Sequence, residues 1–216
     1  MGKAFKRTNS GCDIVLLTMG IDEALAQADQ VRQSLRKALD GEYSDDERTV
    51  FAVAYTDVSM ETHEAIGALV RARLYGPAFA LWRTVFEVLF KSHWVNKCAT
   101  DKQIRKLRQT EKFDFPGVQS IVDAVDQAYG TSGFFGALKK QGWGTMNGFT
   151  HSGVHQLSRR FKGSVVEPSY KESEVVEIIT SSTAAIVQQG LFLANVGQKD
   201  DVKRAVGDIL DKFAEE

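Results

Sequence analysis

The stretch MNGFTHSGVHQLSRR, residues 146–160, is the densest group of reactive side chains in the chain. It holds two of the 4 histidines, His151 and His155, one helical turn apart. Residues at i and i+4 of a helix project from one face, so Asn147 and Arg159 would extend this row by a turn on each side. Such a row suits acid and base chemistry near neutral pH and contact with anions.

Two glycines interrupt this row of polar residues. Gly148 and Gly153 each weaken a continuous helix by about 1 kcal/mol relative to alanine, so the sequence predicts a helix break between them. A histidine at such a break lies where free backbone N–H groups favour anions. The opposite face of the row carries apolar side chains that we expect to pack against the core: Phe149, Val154, Leu157 and Phe161.

Three interpretations of the row stay open. In the first, His151 is a general acid or base, and Arg159 or Arg160 binds phosphate or developing negative charge, as metal-free RNA cleavage or phosphoryl transfer requires. In that interpretation His155 is a secondary substrate contact. In the second, His151 and His155 bind a metal ion together with His63 from another helix. In the third, the histidines are structural, and the protein is a helical interaction module without chemistry.

Arg83 and Glu87 form a second candidate group, spaced to pair along the helical segment PAFALWRTVFEVLFKSHWVNKCA. Aromatic and aliphatic residues surround them, and an unpaired charge in such surroundings costs free energy. The pair is therefore either a structural clamp or a way of presenting one charge to a cavity. If the pair meets Asn147 and His151 in one pocket, all four are candidate catalytic residues.

The elements that must position these residues are helices. Apolar residues recur at helical spacing and alternating, strand-like runs are scarce, so the sequence predicts an all-α fold of about six to eight helices. A chain of 216 residues can bury a core of its own, and we predict a single domain over 1–216. An antiparallel bundle would span about 45–196, with further helices at about 21–40 and 201–214 packed on it.

Capping residues predict where the long helices begin and end. Ser44 and Glu47 have capping-box spacing at the start of one long helix, and Ser169 and Glu172 have it at the start of another. In RLYGPAF, Gly76 suits a left-handed cap between two helices. Because this connection is short, the two helices should be antiparallel neighbours.

Composition limits the partners and the compartment that we expect. A formal net charge of −1 gives no attraction of the whole molecule to nucleic acid or membranes, so contact with a polyanion must be local. Cys12 and Cys98 have no metal-finger spacing, which is typical of a reducing compartment. The run DIVLLTMG is too short for a signal peptide, and we expect no membrane-spanning segment of roughly 20 apolar residues. The sequence therefore predicts a cytoplasmic protein with no membrane contact.

Two motifs carry a family resemblance over about residues 45–195: RLYGPAFALWRTVFE, and later NGFTHSG followed by QLSRR. Together they resemble a group of uncharacterised bacterial helical proteins and, more distantly, the HEPN superfamily of helical bundles. The resemblance implies a homodimer that binds or cleaves RNA or a nucleotide phosphate in defence or stress response. It also implies a metal-independent reaction, no cofactor, and a cognate antitoxin or other partner protein.

The HEPN motif is an arginine followed a few residues later by a histidine, often beginning Arg-Asn. Asn147 and His151 match its asparagine and histidine positions, and Met146 stands where the arginine is expected. The resemblance thus implies His151 as the acid or base and Asn147 as its orienting or substrate-binding partner. The missing guanidinium would have to come from Arg83 or from the arginines that end the row.

Overall fold

The computed structural model describes residues 19–110, 112–151 and 153–215. Cys12 and most of the DIVLLTMG run lie outside the described residues. Nine helices lie within them: α1 (Ile21–Leu39), α2 (Glu47–Arg71), α3 (Tyr75–Lys97), α4 (Asp101–Gln109), α5 (Val118–Tyr129), α6 (Phe134–Thr150), α7 (Val154–Ser158), α8 (Glu172–Val196) and α9 (Asp200–Glu215). Two short antiparallel strands, β1 (Phe161–Lys162) and β2 (Val165–Val166), follow α7. The predicted all-α class is confirmed, with one helix more than expected.

Helix α3 is the centre of the bundle. It packs against α2, α5, α6 and α8, and it buries apolar residues on most of its sides, including Phe79, Phe86 and Phe90. Helix α8 covers another side of α3 and also contacts α1, α2 and α9. A helix that is apolar nearly all round must be surrounded in this way. The polar groups of α3 therefore need partners on neighbouring helices, or an open edge.

Among the described helices, α8 alone is long and apolar enough to cross a membrane by length and composition. The sequence analysis expected no segment of this length and composition, and that expectation is wrong for α8. However, 67% of its most apolar window is buried against the other helices. Packing within the bundle therefore accounts for its composition.

Both predicted capping boxes lie two residues too early. Helix α2 is capped by Asp46, whose carboxylate accepts the N–H of Thr49 at 3.1 Å, while Ser44 accepts the N–H of Asp46. Helix α8 begins after Lys171, whose own N–H bonds to Glu174 at 3.1 Å. In both places the chain is still extended at the residue before the helix, so the serine is too far from the free N–H groups to cap them.

The left-handed residue between α2 and α3 is Arg73, with φ of 58°, and not Gly76. The N–H of Arg73 bonds to the carbonyl of Val70 at 2.9 Å, and the N–H of Leu74 bonds to Leu69 at 2.8 Å. These two bonds close the end of α2 in a Schellman motif. Gly76 lies inside the first turn of α3.

Helix α6, which the sequence did not predict as a continuous helix, is anchored by Asp126 of α5. That carboxylate accepts the N–H groups of Phe135 at 3.0 Å and Gly136 at 2.9 Å. Burial alone would raise the pKa of Asp126, but its hydrogen bonds from Thr131 and from these N–H groups outweigh burial and lower that pKa. An ionised carboxylate therefore fixes the start of α6 against α5.

The helix break predicted between Gly148 and Gly153 is confirmed. Helix α6 ends at Thr150, His151 is its C-cap, and α7 begins at Val154. The break lets α7 fold back onto α6, where a Cβ on Gly148 would lie only 2.5 Å from the ring of His155. A side chain larger than hydrogen does not fit there without displacing α7.

The predicted packing of the apolar face opposite this row is mostly wrong. Phe149 is 2% exposed, whereas Val154 is 81% exposed and Leu157 and Phe161 are also exposed. The reason is the break itself: α7 has only 5 residues and does not continue the stripe of α6 into the core. These side chains instead lie at the surface with Val165 and Val166 of the hairpin.

Candidate functional site

Two stripes of side chains, one polar and the other polar with one tryptophan, meet where α3 packs against α6. Each stripe has the spacing i, i+4, i+8, which places its members on one helix face. They are Arg83, Glu87 and Lys91 on α3, and Trp143, Asn147 and His151 on and just after α6. Because Arg83 contacts His151 while Phe90 contacts Trp143, the two helices run antiparallel. Four of these six residues were predicted as candidates.

A hydrogen bond between Arg83 and His151 joins the two stripes. Nη1 of Arg83 lies 2.7 Å from Nε2 of His151. A guanidinium only donates, so this contact needs an unprotonated Nε2 and, in the neutral ring, a proton on Nδ1. The guanidinium of Arg83 also lies 4.9 Å from the ring centroid of Trp143, within the range of a cation–π contact. The arginine is thus held against both a candidate base and an aromatic wall.

Glu87 lies between two cations on the same helix face. Its Oε1 accepts from Nε of Arg83 at 2.6 Å, and its Oε2 accepts from Nζ of Lys91 at 2.9 Å. Burial alone would raise the pKa of Glu87, but Lys91 and Arg83 outweigh burial and lower it. The side chains of Arg83 and Glu87 are 21% and 25% exposed, so the group is half-buried and still reachable.

A cleft of about 240 Å³ opens beside this group. Its polar edge consists of Arg83, Glu87 and Lys91, and the remaining lining is apolar or aromatic: Phe90, Phe115, Pro116, Val118, Ile121 and Trp143. Concave sites with apolar walls and a few converging polar groups are where small ligands usually bind. The Arg83–Glu87 pair therefore presents charge to a cavity, which was one of the two roles considered for it.

Asn147 lies one turn before His151, and its carbonyl accepts the backbone N–H of His151 at 3.0 Å. Its side-chain Oδ1 is buried and has no hydrogen-bond partner among the described residues. Among the described residues, no hydrogen bond joins the Asn147 side chain to the His151 ring. The predicted role of Asn147 in orienting that ring therefore has no support. Buried acceptors are nearly always satisfied in proteins, so this orphan acceptor is unusual. Neither Asn147 nor His151 is among the residues that line the cleft, so the four candidate catalytic residues do not share one pocket.

Met146, at the position where the HEPN motif has arginine, points into the core. It is 1% exposed. A charged side chain at this position would have to be buried, which costs free energy. The guanidinium nearest to His151 comes from Arg83 on the neighbouring helix.

Arg159 and His155 lie apart from the cleft. Arg159 donates through Nε to Glu174 at 3.0 Å and through Nη2 to the other carboxylate oxygen, so it clamps the loop after α7 to the start of α8. The ring of His155 packs over Gly148 and near Phe149. Neither residue lines the cleft. His151 does not line it either, but His151 bonds directly to Arg83, which does. The predicted part of Arg159 and His155 in substrate binding therefore has no support from the geometry.

Arg160 follows α7 in the chain, and its guanidinium lies beside Gly76 in the first turn of α3, away from the cleft. A Cβ on Gly76 would be 3.0 Å from its Nη2 and 3.1 Å from the hydroxyl of Tyr170, so any larger residue would crowd the ends of both side chains. The Tyr170 hydroxyl is buried without a hydrogen-bond partner among the described residues. Burial raises the pKa of Tyr170, which keeps its hydroxyl protonated.

The predicted alternative metal site is not assembled. His63 is buried in α2 with its Nδ1 3.0 Å from Oγ of Ser182, and burial lowers its pKa to about 4. Within residues 19–110, 112–151 and 153–215, no group of three or more His, Cys, Asp or Glu side chains could hold a metal ion. His63 therefore belongs to the core, and His151 and His155 do not form a metal site with it.

Lys91 and Trp143 belong to the site but were not among the sequence candidates. Both were within reach of sequence reasoning, because Lys91 is four residues after Glu87 and Trp143 is four residues before Asn147. The wall formed by Phe115 and its neighbours comes from the connection between α4 and α5. No local sequence signal assigns that connection to the cleft.

A protein-family model with the description "Family of unknown function (DUF6988)" matches residues 56–216. The match includes both stripes and the whole cleft. No curated protein and no solved structure matches the chain.

Proposed function

Because the chain belongs to DUF6988, a family of unknown function, we propose its function from the site: a HEPN-like protein that binds RNA or a nucleotide phosphate and cleaves RNA without a metal ion. The observation that carries the proposal is the 2.7 Å contact between Arg83 and His151, made by residues from two separate helices. Convergence of this kind is hard to explain as surface decoration. His151 is the proposed general base, and Arg83 the proposed anion contact.

The proposed reaction uses the unprotonated Nε2 of His151. This nitrogen takes the proton of a ribose 2′-hydroxyl, the 2′-oxygen attacks the adjacent phosphorus, and the 5′-oxygen leaves with a proton from water. Arg83 donates to a phosphate oxygen as negative charge develops there, in place of its present bond to His151. Arg83 thereby takes over the part that the resemblance assigns to an arginine at the position of Met146.

Asn147 has a proposed part in holding the substrate. Its buried Oδ1 has no partner among the described residues and lies one turn from His151. In the proposal, the Asn147 side chain turns outward when substrate binds, and its amide oxygen then accepts a hydrogen bond from a ribose hydroxyl. Glu87 holds the guanidinium of Arg83 through Nε at 2.6 Å, which leaves the outer guanidinium nitrogens to face the substrate.

Cleavage of an end-labelled single-stranded RNA, with EDTA present, tests the proposal. We expect the parent protein to cleave and His151→Ala to cleave about 100-fold more slowly, because a positioned acid or base contributes roughly that factor. His155→Ala is the matched control, since it removes the other exposed histidine near the helix break, and it should cleave within about twofold of the parent. The proposal is wrong if the parent protein neither binds nor cleaves RNA, or if His151→Ala behaves like the parent.

The homodimer, the cognate partner protein, the cytoplasmic location and the role in defence or stress response stay predictions. The exposed apolar side chains of α7 and the hairpin, Val154, Leu157, Phe161, Val165 and Val166, form the surface on which we would look for a partner first. Size-exclusion chromatography with light scattering of the full chain measures the oligomeric state directly.

A further inference from the structure

The cleft beside Arg83 and Glu87 is larger than the proposed phosphate chemistry requires. Its volume of about 240 Å³ lies just under the range of roughly 300–1,000 Å³ typical of pockets for drug-sized ligands. A space of this size suits one small ring system. Its apolar lining includes Val118 and Ile121 of α5 and Phe90 of α3.

Two of the aromatic rings that line the cleft, Trp143 and Phe115, each have a cationic side chain close to the ring. The guanidinium of Arg83 lies 4.9 Å from the ring centroid of Trp143, and Nζ of Lys91 lies 5.1 Å from that of Phe115. Aromatic side chains and guanidinium planes both stack with nucleobases. A flat heterocycle with an attached anionic group fits this combination better than an aliphatic ligand does.

Among the described residues, Glu87 is the one acidic side chain that lines the cleft. It accepts one hydrogen bond on each oxygen from the protein, from Arg83 and Lys91. An ionised carboxylate offers about four acceptor positions, so about two stay open to a ligand. The lowered pKa of Glu87 keeps it ionised at neutral pH. Its free positions can therefore only accept hydrogen bonds, and they favour a ligand edge with adjacent N–H donors.

We propose that this cleft is a guanine-binding site, in which the ring lies between Trp143 and Phe115 and the two adjacent N–H donors of its Watson–Crick edge bond to Glu87. Adenine, cytosine and uracil each present an acceptor next to their donor on that edge, and an acceptor repels the carboxylate. The assignment of the attached phosphate to Arg83 and His151 rests on the proposed function. The binding of the base itself does not.

Calorimetric titration of the full chain with guanosine and with the four ribonucleoside 5′-monophosphates tests the inference. We expect guanosine monophosphate to bind at least about tenfold more tightly than the other three, since a good bidentate pair discriminates by about 1–3 kcal/mol and 1.4 kcal/mol is tenfold. In Glu87→Gln the four affinities should come within about threefold of one another. Glu64→Gln is the matched control, because Glu64 also pairs with two cations, Arg32 and Arg36, but lies outside the cleft.

A second variant fills the cleft without touching a charged residue. Val118→Phe should lower the affinity for guanosine by about tenfold or more, because its ring occupies the space of the base. Equal affinities for the four monophosphates, or a Val118→Phe protein that binds guanosine like the parent, would overturn the guanine site. Guanosine binding with no RNA cleavage would support the site and contradict the proposed function, so the two failures are distinguishable.

Discussion

The buried polar groups between α2, α3 and α8 and those at the α3–α6 edge differ in whether the protein satisfies them. In the core, Gln189 accepts from Ser92 at 2.9 Å and donates to Thr56 at 3.2 Å, and all three are buried. At the edge, Oδ1 of Asn147 is buried without a partner among the described residues, and Arg83 divides its donors between two side chains. The core network therefore serves stability, whereas the edge leaves a buried acceptor unsatisfied, which is the reason for proposing a site there.

Two buried histidines make the core sensitive to mild acid, and this is the largest effect that we expect. Burial lowers the pKa of His63 and of His93 to about 4 from the ordinary value of 6.5. Between those pH values the unfolded chain binds protons that the folded chain does not, so stability is complete above pH 6.5 and falls as the pH drops. Each histidine costs up to about 1.4 kcal/mol per pH unit, and less near pH 6.5, where the unfolded ring is only half protonated. The free energy of unfolding should therefore fall by about 3 kcal/mol between pH 6.5 and 5.

Urea unfolding at several pH values measures this dependence. His155→Ala, which removes an exposed histidine, should keep the full slope, and His93→Gln should reduce it by about half. A free energy of unfolding that stays constant between pH 6.5 and 5 would show that the two rings are protonated in the folded core.

A matched pair of amide truncations sharpens the comparison between core and edge. Gln189→Ala should lower the free energy of unfolding by about 3 kcal/mol, because it leaves a cavity and removes the partner of Ser92. Asn147→Ala should change it by less than about 0.5 kcal/mol, since its side-chain oxygen has no bond to lose and alanine favours the helix. Urea unfolding at pH 7.5 gives both values. Equal losses in the two variants would mean that Asn147 is structural.

Gly148→Ala tests how far the stability of the α3–α6 edge depends on the packing of α7 against α6. Its Cβ would lie 2.5 Å from Cδ2 and 3.0 Å from Cβ of His155, so α7 must shift, at a cost of about 1–2 kcal/mol. The double variant Gly148→Ala/His155→Ala should recover most of the loss, because it removes the clashing ring. Thermal unfolding of the three proteins measures the effect, and a single variant as stable as the parent would contradict the contact.

The local sequence predicted most of the helices and four of the six residues in the two stripes. Periodic apolar residues predicted α1, α2, α3 and α8 because each buries a continuous face, whereas the glycines at 136, 142, 144 and 148 concealed α6. That helix is stabilised by Asp126 and by packing on α3, which are non-local interactions. Local rules also missed the true caps, since several residues in each connection could have capped the helix.

Within the site, spacing along one helix related Arg83 to Glu87, and Asn147 to His151. The contact between the two groups could not be predicted, because it depends on how α3 and α6 align. The same limit applies to Arg159, which spacing placed in the row of His151 but which the fold pairs with Glu174. Residues that share a helix face are predictable from sequence, and residues that meet across helices are not.

The central claim, that His151 and Arg83 form a nucleotide site, is tested most directly by ¹⁵N NMR of the histidine rings during titration with guanosine monophosphate. The other three histidines provide internal references, because His63 and His93 are buried and the ring of His155 packs over Gly148. We predict that the nucleotide shifts the Nε2 resonance of His151 and leaves the other three rings unchanged. A nucleotide that binds without moving the His151 resonances would contradict the account.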